Sequence, residues 1–272
     1  MSKIFLIVSC LLLGICSVSS AEKCDRRFRV AVNSYQPFYS VDSYGQVSGL
    51  TYDIVKELES RLGCTLHQQP AEIPRMLEDF KNWRTDIIAF IGINDGLTKY
   101  GNFIELYQVR RRLIVANSSF VLNKKIPEYV SDPKIKFGGQ IGSHPYITDT
   151  ELDVLRKQNR VIQVPTPEVA YQRLMSGRLQ AFFSSPVVYR YNLKTNKNLK
   201  DKVTAISDPG FKNTVGLYLS KKRINAEEMK RINTAAQDMR TDGTLRQIVL
   251  KYIHTEDLQD YEFTSPITPT NK

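Results

Sequence analysis

Four short clusters in this sequence carry side chains suited to chemistry, and each suits holding a small molecule more than breaking a bond. The run Asn33-Ser34-Tyr35-Gln36-Pro37-Phe38 places two rings in one loop, where Tyr35 and Phe38 either cover a flat or apolar solute or pack at a rim. The apolar run 87–93, interrupted by Gly92, breaks at Asn94-Asp95-Gly96, a set of turn formers. Asn94 and Asp95 either supply polar groups to a ligand or cap that turn. Gly142-Ser143-His144 stands just before a predicted helix, where backbone N–H groups favour an anion. Ser184-Ser185-Pro186 closes an apolar strand, yet no G-x-S-x-G surrounds it, and neither H-E-x-x-H nor a phosphate loop occurs elsewhere. No residue is therefore assigned a catalytic role.

Metal chemistry has as little support. His67, His144 and His254 are scattered, and four cysteines fall to two once the N-terminus is set aside. That N-terminus, with Lys3, an apolar run over 4–16 and Ser19-Ser20-Ala21, has the pattern of a cleaved signal peptide covering 1–21. Its apolar run of 13 residues is short for a membrane span, which needs about 20. Export makes a Cys24–Cys64 disulfide the natural use of the two remaining thiols. The net charge of +10 is spread along the chain, and neither the 110–112 nor the 221–223 basic run is framed by aromatic residues. Nucleic acid is not an expected partner. A mild preference for anions is consistent with the charge.

The elements that must position these clusters read as two α/β units. Strand 28–32, helix 49–62 with leucines at 50, 58 and 62 and a stop at Gly63, strand 65–68, helix 73–83 and strand 87–93 form a β-α-β-α-β run. Such a run implies a parallel sheet with right-handed crossovers, and ligands of open α/β sheets bind at the carboxyl ends of the strands. A short strand follows at 113–116. The second unit reads as strand 135–137, a glycine-rich loop 138–146, helix 151–158 with a Thr148-x-x-Glu151 capping box, strand 161–164, helix 167–176 and strand 179–183. Strand 215–220 and helices 226–239 and 244–253 have no partners there and should return to the first unit. Trp83 reads as a core side chain on its helix, and the tail beyond Glu256 as turn-rich and loosely packed. The expected division is lobe 1 over 22–117 plus 212–272 and lobe 2 over 118–211, crossed twice, which suits hinge closure.

Several ordered motifs resemble a known family. Gly49-Leu50-Thr51-Tyr52-Asp53 resembles a G-[FL]-x-x-D before a helix, and the 103–107 stretch an F-[ST]-x-x-Y. Gly142-Ser143 resembles a G-[ST] opening a second lobe, Gly177-Arg178-Leu179-Gln180-Ala181 a G-[KR]-[VL]-D-A, and Asp242-Gly243-Thr244 with Lys251-Tyr252 a closing D-G-T…K-[WY]. Together, over 28–253, they resemble the type II periplasmic solute-binding proteins, in particular the family 3 group serving polar amino-acid ABC transporters. The resemblance implies two lobes, each a mainly parallel sheet flanked by helices, that close on a small solute, with an ABC permease or a membrane sensor as partner and no cofactor. A monomer is expected.

Two departures stand out. The family's T-x-x-R arginine, which forks onto the ligand carboxylate, has no counterpart in the turn after the third strand; Leu97 or Thr98 falls there, and Lys99 is the nearest cation. The family's ammonium-binding Asp falls on Ser185. A buried carboxylate left without its charged partner costs about 2–5 kcal/mol, so the resemblance transfers the fold but not amino-acid specificity. Arg75, just inside the second helix, is either a surface residue or a cation turned into the cleft in place of the missing one. The expected ligand contacts are thus Tyr35, Phe38, Arg75, Gly92, Asn94, Asp95, Gly142, Ser143, His144 and Ser185. The leading reading is a binding protein; the alternatives are a dehydratase-like enzyme on a cyclic carboxylate, with Asp95 as base, and a sensor without transport.

Overall fold

The computed structural model describes residues 24–143 and 149–263, with the backbone alone at 208, 209 and 211. The expected leader, His144 and Thr148 of the capping box lie outside the described residues.

Strand β1 (Arg27–Asn33) buries nearly every residue after its first. A small hairpin, β2 (Ser40–Val41) and β3 (Val47–Ser48), leads into helix α1 (Leu50–Leu62), which buries Leu50, Ile54, Val55, Leu58 and Leu62 on one face. Gly63 ends it in the left-handed conformation at φ 64°, its N–H donating to the Glu59 carbonyl. At the other end, Gly49 has φ 134°, and a Cβ there would lie 2.3 Å from the Phe38 carbonyl oxygen. Gly49→Ala is expected to destabilise the protein by about 2–3 kcal/mol through strain and backbone displacement. Urea unfolding would check this; a loss of a few tenths would mean the loop gives way freely.

β4 (Thr65–Ala71) lies parallel to β1, with Arg27 opposite Thr65. Cys24 and Cys64, one just ahead of each strand, therefore meet at one end of the sheet and form a disulfide with Cα atoms 4.7 Å apart. Helix α2 (Ile73–Lys81) and strand β5 (Ile87–Gly92), also parallel to β1, complete the first group.

Next comes β6 (Gly101–Ala116), a single strand of 16 residues where only 113–116 had read as strand. The second group is α3 (Ile126–Ser131), β7 (Phe137–Gln140), α4 (Asp149–Lys157), β8 (Val161–Val164), α5 (Pro167–Met175), β9 (Ala181–Ser184) and α6 (Pro186–Thr195). Strand β7 pairs parallel with both β8 and β9. Then β10 (Val203–Ser220), 18 residues long, runs back beside β6, followed by α7 (Ala226–Thr241), α8 (Thr244–Leu250), a 3-10 turn (Thr255–Asp260) and β11 (Tyr261–Glu262). Among the described residues, apart from the β2–β3 hairpin, the strands form one nine-stranded sheet in the order β4-β1-β5-β10-β6-β9-β7-β8, with β11 on β6. The outer strands of each group are parallel, and the two long strands join the groups as an antiparallel pair.

The misread boundaries share one cause. A strand leaving one core and entering another does not keep a single buried stripe, so the polar residues at 108, 110, 111 and 112 broke the pattern of β6. Asp208-Pro209-Gly210 looks like a turn but lies in the bulged middle of β10, where pairing slips between Ser207 and Lys212 opposite Arg112 and Arg110. Gly138 and Gly139 belong to β7 rather than a loop; close packing accounts for the glycines, since a Cβ on Gly138 would press on Phe182 and Leu179 and one on Gly139 on Val161. Trp83 is not core: α2 ends at Lys81, Trp83 has φ 59°, and its half-buried ring leans on Tyr100 with Lys222 Nζ 5.7 Å from its centroid.

The tail is the largest correction. Asp257, Asp260, Tyr261 and Phe263 are all buried. Arg112 on β6 donates to Asp257 at 2.8 Å and to Asp260 at 2.6 Å, and Arg190 on α6 donates to Asp257 at 2.6 Å. Tyr261 and Glu262 pair with Val109 and Gln108, and the Phe263 carbonyl accepts from Arg240 at 3.0 Å. Charge pairing and aromatic packing, neither visible as periodicity, hold the segment down.

Candidate functional site

The carboxyl ends of β1 and β5, the middles of β6 and β10, and the amino-terminal ends of α2 and α6 converge on one cleft. Side chains two apart on a strand share a face, which puts Tyr107, Val109 and Arg111 of β6 into the cleft beside Asn213 and Val215 of β10. Arg112, on the opposite face, goes to the tail instead. The cleft encloses ≈ 110 Å³, room for about four waters at about 30 Å³ each and hence for one small solute.

Its wall is aromatic. Ring centroids run from Tyr35 to Phe38 at 5.4 Å, Phe38 to Phe90 at 6.1 Å, Phe90 to Tyr107 at 5.6 Å and Tyr107 to Tyr261 at 5.5 Å. Phe90 takes part through an irregularity. Pairing between β5 and β10 steps from Ala89–Leu217 to Ile91–Gly216, leaving Phe90 as the extra residue at φ 64°. Bulges of this kind re-aim a side chain, and left-handed backbone in a bulky residue persists only where its surroundings hold it. Asn33 supplies part of that hold, its Nδ2 donating to the Phe90 carbonyl at 3.3 Å. On the other side, the turn at Gly142 packs on α2: a Cβ on Gly142 would lie 2.8 Å from Ile73 Cγ2.

Polar groups face this wall. Asn33 Oδ1 and Gln140 Nε2 are buried without a hydrogen-bond partner. An unpaired buried polar group costs about 1–3 kcal/mol, a cost that a bound solute would relieve. Burial pushes the Tyr35 phenol above its usual range, opposed by the neighbouring Gln140 amide and the Arg111 charge. Among the described residues lining the cleft, Arg111 is the one charged side chain. Glu168, at the start of α5, acts electrostatically on Tyr35 and Tyr171 from outside the lining.

The structure brings Tyr35, Phe38, Gly92, Asn94, Gly142, Ser143 and Ser185 together in the cleft. Asn94 also serves its own turn, its Oδ1 accepting from Gly96 N–H at 2.9 Å. Ser185 stands at the start of α6 without capping it through its side chain. Gly92 leaves space that Asn213 fills, since a Cβ there would be 2.9 Å from Asn213 Oδ1. Two expected residues lie elsewhere. Arg75 is exposed and bonded along its own helix to Asp79 at 2.6 Å, and Asp95 is exposed outside the cleft. Lys99 lies over the Tyr100 ring, also outside it. Sequence reading missed Asn33, Tyr107, Arg111, Gln140, Asn213 and Tyr261. Alternation along 107, 109 and 111 was the one signal available, and it was hidden because 110–112 read as surface charge.

The arrangement offers amides, hydroxyls, one cation and rings around a small volume, a set made for reversible recognition. Among the described residues no group of three histidine, cysteine or acidic side chains is placed to hold a metal, and no helix is long and apolar enough to cross a membrane.

Two α/β groups sharing a pair of long crossing strands, with their polar and aromatic residues gathered in the crevice, define a two-lobed solute-binding protein of the periplasmic type II fold. The chain belongs to the bacterial extracellular solute-binding proteins, family 3, whose pattern it matches over 28–255. It is 26% identical over 240 residues to ABC transporter arginine-binding protein 1 of Escherichia coli K12, covering 85% of this chain and 90% of that protein. It is 24% identical over 260 residues to the histidine-binding periplasmic protein of Salmonella typhimurium LT2, covering 93% and 97%. An ancestral arginine-binding protein solved with arginine has the same fold, with a TM-score of 0.67 at 22% identity over 83% of this chain and 97% of that one. The family and these relatives are binding proteins rather than enzymes.

Proposed function

We propose that this protein is exported to the periplasm through cleavage of its first 21 residues, and there closes two lobes on a small polar or anionic solute other than a standard α-amino acid, for ABC-type uptake. The lobes are 22–111 with 212–272, and 112–211, the first boundary falling ahead of the expected 117. The hinge lies at the bulge where Arg110 and Arg112 pair with Lys212 and Ser207, so that 112–116, which pairs with β9, moves with the second lobe.

One observation carries the reading of the solute. The turn after β5 contributes no arginine, and the start of α6 presents Ser185 where a carboxylate would take an ammonium group. The named relatives bind arginine or histidine, solutes that carry both charges. Here the lining has neither clamp in its expected place, and each missing clamp costs an amino acid about 2–5 kcal/mol. The cleft's polar groups are suited to grip rather than to proton transfer, which favours binding over catalysis.

A thermal-shift screen of the mature protein across amino acids, organic acids, sugars and short peptides checks this. Stabilisation by an acid or another polar solute is expected, with arginine, histidine, glutamate and glutamine giving little. A strong shift with any of these four would overturn the reading of the solute.

A further inference from the structure

We infer that Arg111 is the anion clamp of this cleft, and that the solute is a small carboxylic acid with an apolar or aromatic body and no α-ammonium group. The inference rests on the solute-binding reading above and names the class of solute.

The placement is specific. Arg111 sits on the face of β6 that carries Tyr107 and Val109 into the cleft, at the bulge between the two crossing strands. It also lines a smaller adjoining recess with Gln140, Ser143 and Phe182, so its side chain lies at the junction of the two lobes. A guanidinium has five donors in a fixed fork, enough to serve protein partners and a carboxylate together. Gln140 Nε2, in the same lining, is a buried donor that makes no well-formed hydrogen bond and interacts only weakly with the Tyr35 phenol, and an anionic oxygen beside Arg111 would give it a full acceptor. The fork thus comes from the hinge strand rather than from the turn after β5, where Asn94 caps its own loop instead.

The rest of the cleft specifies the body of the solute. Tyr35, Phe38, Phe90, Tyr107 and Tyr261 form a continuous aromatic wall in the same cleft as that charge. Among the described lining residues there is no carboxylate to receive an ammonium group. Binding one would strip its hydration without return, which selects against α-amino acids of the same shape. Glu168, whose Oε1 is buried without a hydrogen-bond partner and whose charge acts on Tyr35, lies outside the lining, and a solute that carried an ammonium group would have to reach past the lining to it.

Calorimetric titration of the mature full-length protein with matched probes tests the inference: phenylacetate, phenylacetamide and L-phenylglycine, and 4-methylpentanoate, 4-methylpentanamide and L-leucine. In at least one set the acid should bind more tightly than both its amide and its amino acid. Arg111→Gln should weaken that acid on the order of 30-fold or more while leaving the amide unchanged. Arg111→Lys, which keeps charge without the fork, should fall between, and it carries the test if the glutamine variant fails to fold. Tighter binding of the amino acid than of its acid would overturn the absence of an ammonium partner. An acid preference that survives both variants would overturn the role of Arg111. If only a neutral solute from the wider screen binds in the cleft, the clamp fails while the solute-binding function stands. If nothing in either panel binds, both fail.

Discussion

Replacing Asp257 by alanine is expected to destabilise the protein by about 2–4 kcal/mol, because it removes the buried carboxylate that two arginines share and leaves Arg112 with Asp260 alone and Arg190 with the exposed Glu256. Asp257 is fully buried, and both its oxygens are engaged, one by Arg112 at 2.8 Å and the other by Arg190 at 2.6 Å. Asp260 keeps two bonds from Arg112, at 2.9 and 2.6 Å, so the variant would break the cluster without emptying it. The damage should also reach the cleft. The segment that carries Asp257 continues into Tyr261, and Tyr261 packs on Tyr107 in the cleft wall at 5.5 Å. Urea unfolding should show a lower midpoint at unchanged slope, and Asp257→Asn, which keeps shape and some hydrogen bonding, should lose less. A loss below about 1 kcal/mol in the alanine variant would show that the strap is decorative.

The same group sets a pH dependence. Burial alone would raise the Asp257 carboxyl, but the hydrogen bond from Arg190 and the charge and hydrogen bond of Arg112 outweigh it and hold the group below its usual range. A carboxyl depressed in the folded state contributes stability above its unfolded value, near about 3.9, and that contribution disappears as pH falls through the lower folded value. The stability gap between the native protein and Asp257→Asn should therefore be flat from neutral pH down to about 5 and close below about 4. A gap that widened on acidification would contradict the pairing.

Removing the Cys24–Cys64 bridge is expected to cost about 4 kcal/mol, the loop-closure entropy for a bridge of this span. The two cysteines are 40 positions apart, and the loop between them contains β1, the hairpin and α1. For a chain of this size the double serine variant should melt lower by roughly 8–16 °C. Bridging holds the amino ends of β1 and β4 together, and the carboxyl end of β1 supplies Asn33 to the cleft. Loss of the bridge is therefore expected to raise solute off-rates as well as lower the melting temperature. Intact-mass measurement with and without thiol alkylation provides the chemical check: two alkylatable thiols in unreduced exported protein would show that no bridge forms.

The parts legible from the amino-acid order were those encoded by local patterns. Leu50, Ile54, Leu58 and Leu62 mark α1 and Gly63 marks its end, because a helix returns to the same face every three to four residues and only glycine relaxes into the left-handed stop. The apolar run at 87–92 marks a buried strand, and two cysteines each ahead of a strand mark a bridge once those strands are parallel neighbours. The ordered motifs from Gly49 to Tyr252 carried the family. The departures at the turn after β5 and at Ser185 were also plain, since motif positions can be counted without coordinates.

Tertiary structure decided what fills the gap those departures leave. Arg75 and Arg111 are equally basic on paper. One lies along the exposed face of α2 against Asp79, and the other is turned into the crevice because it alternates with Tyr107 and Val109 on a strand that belongs to two lobes at once. The ring of Phe90 reaches the cleft through a bulge set by the register of β5 against β10, a long-range pairing with no local signature. Tyr261 reaches it because Asp257 and Asp260 find Arg112 and Arg190, partners more than 60 positions away. Periodicity reports what one element buries, whereas a binding crevice is built from residues that several elements leave facing one another, and that depends on how the elements are assembled.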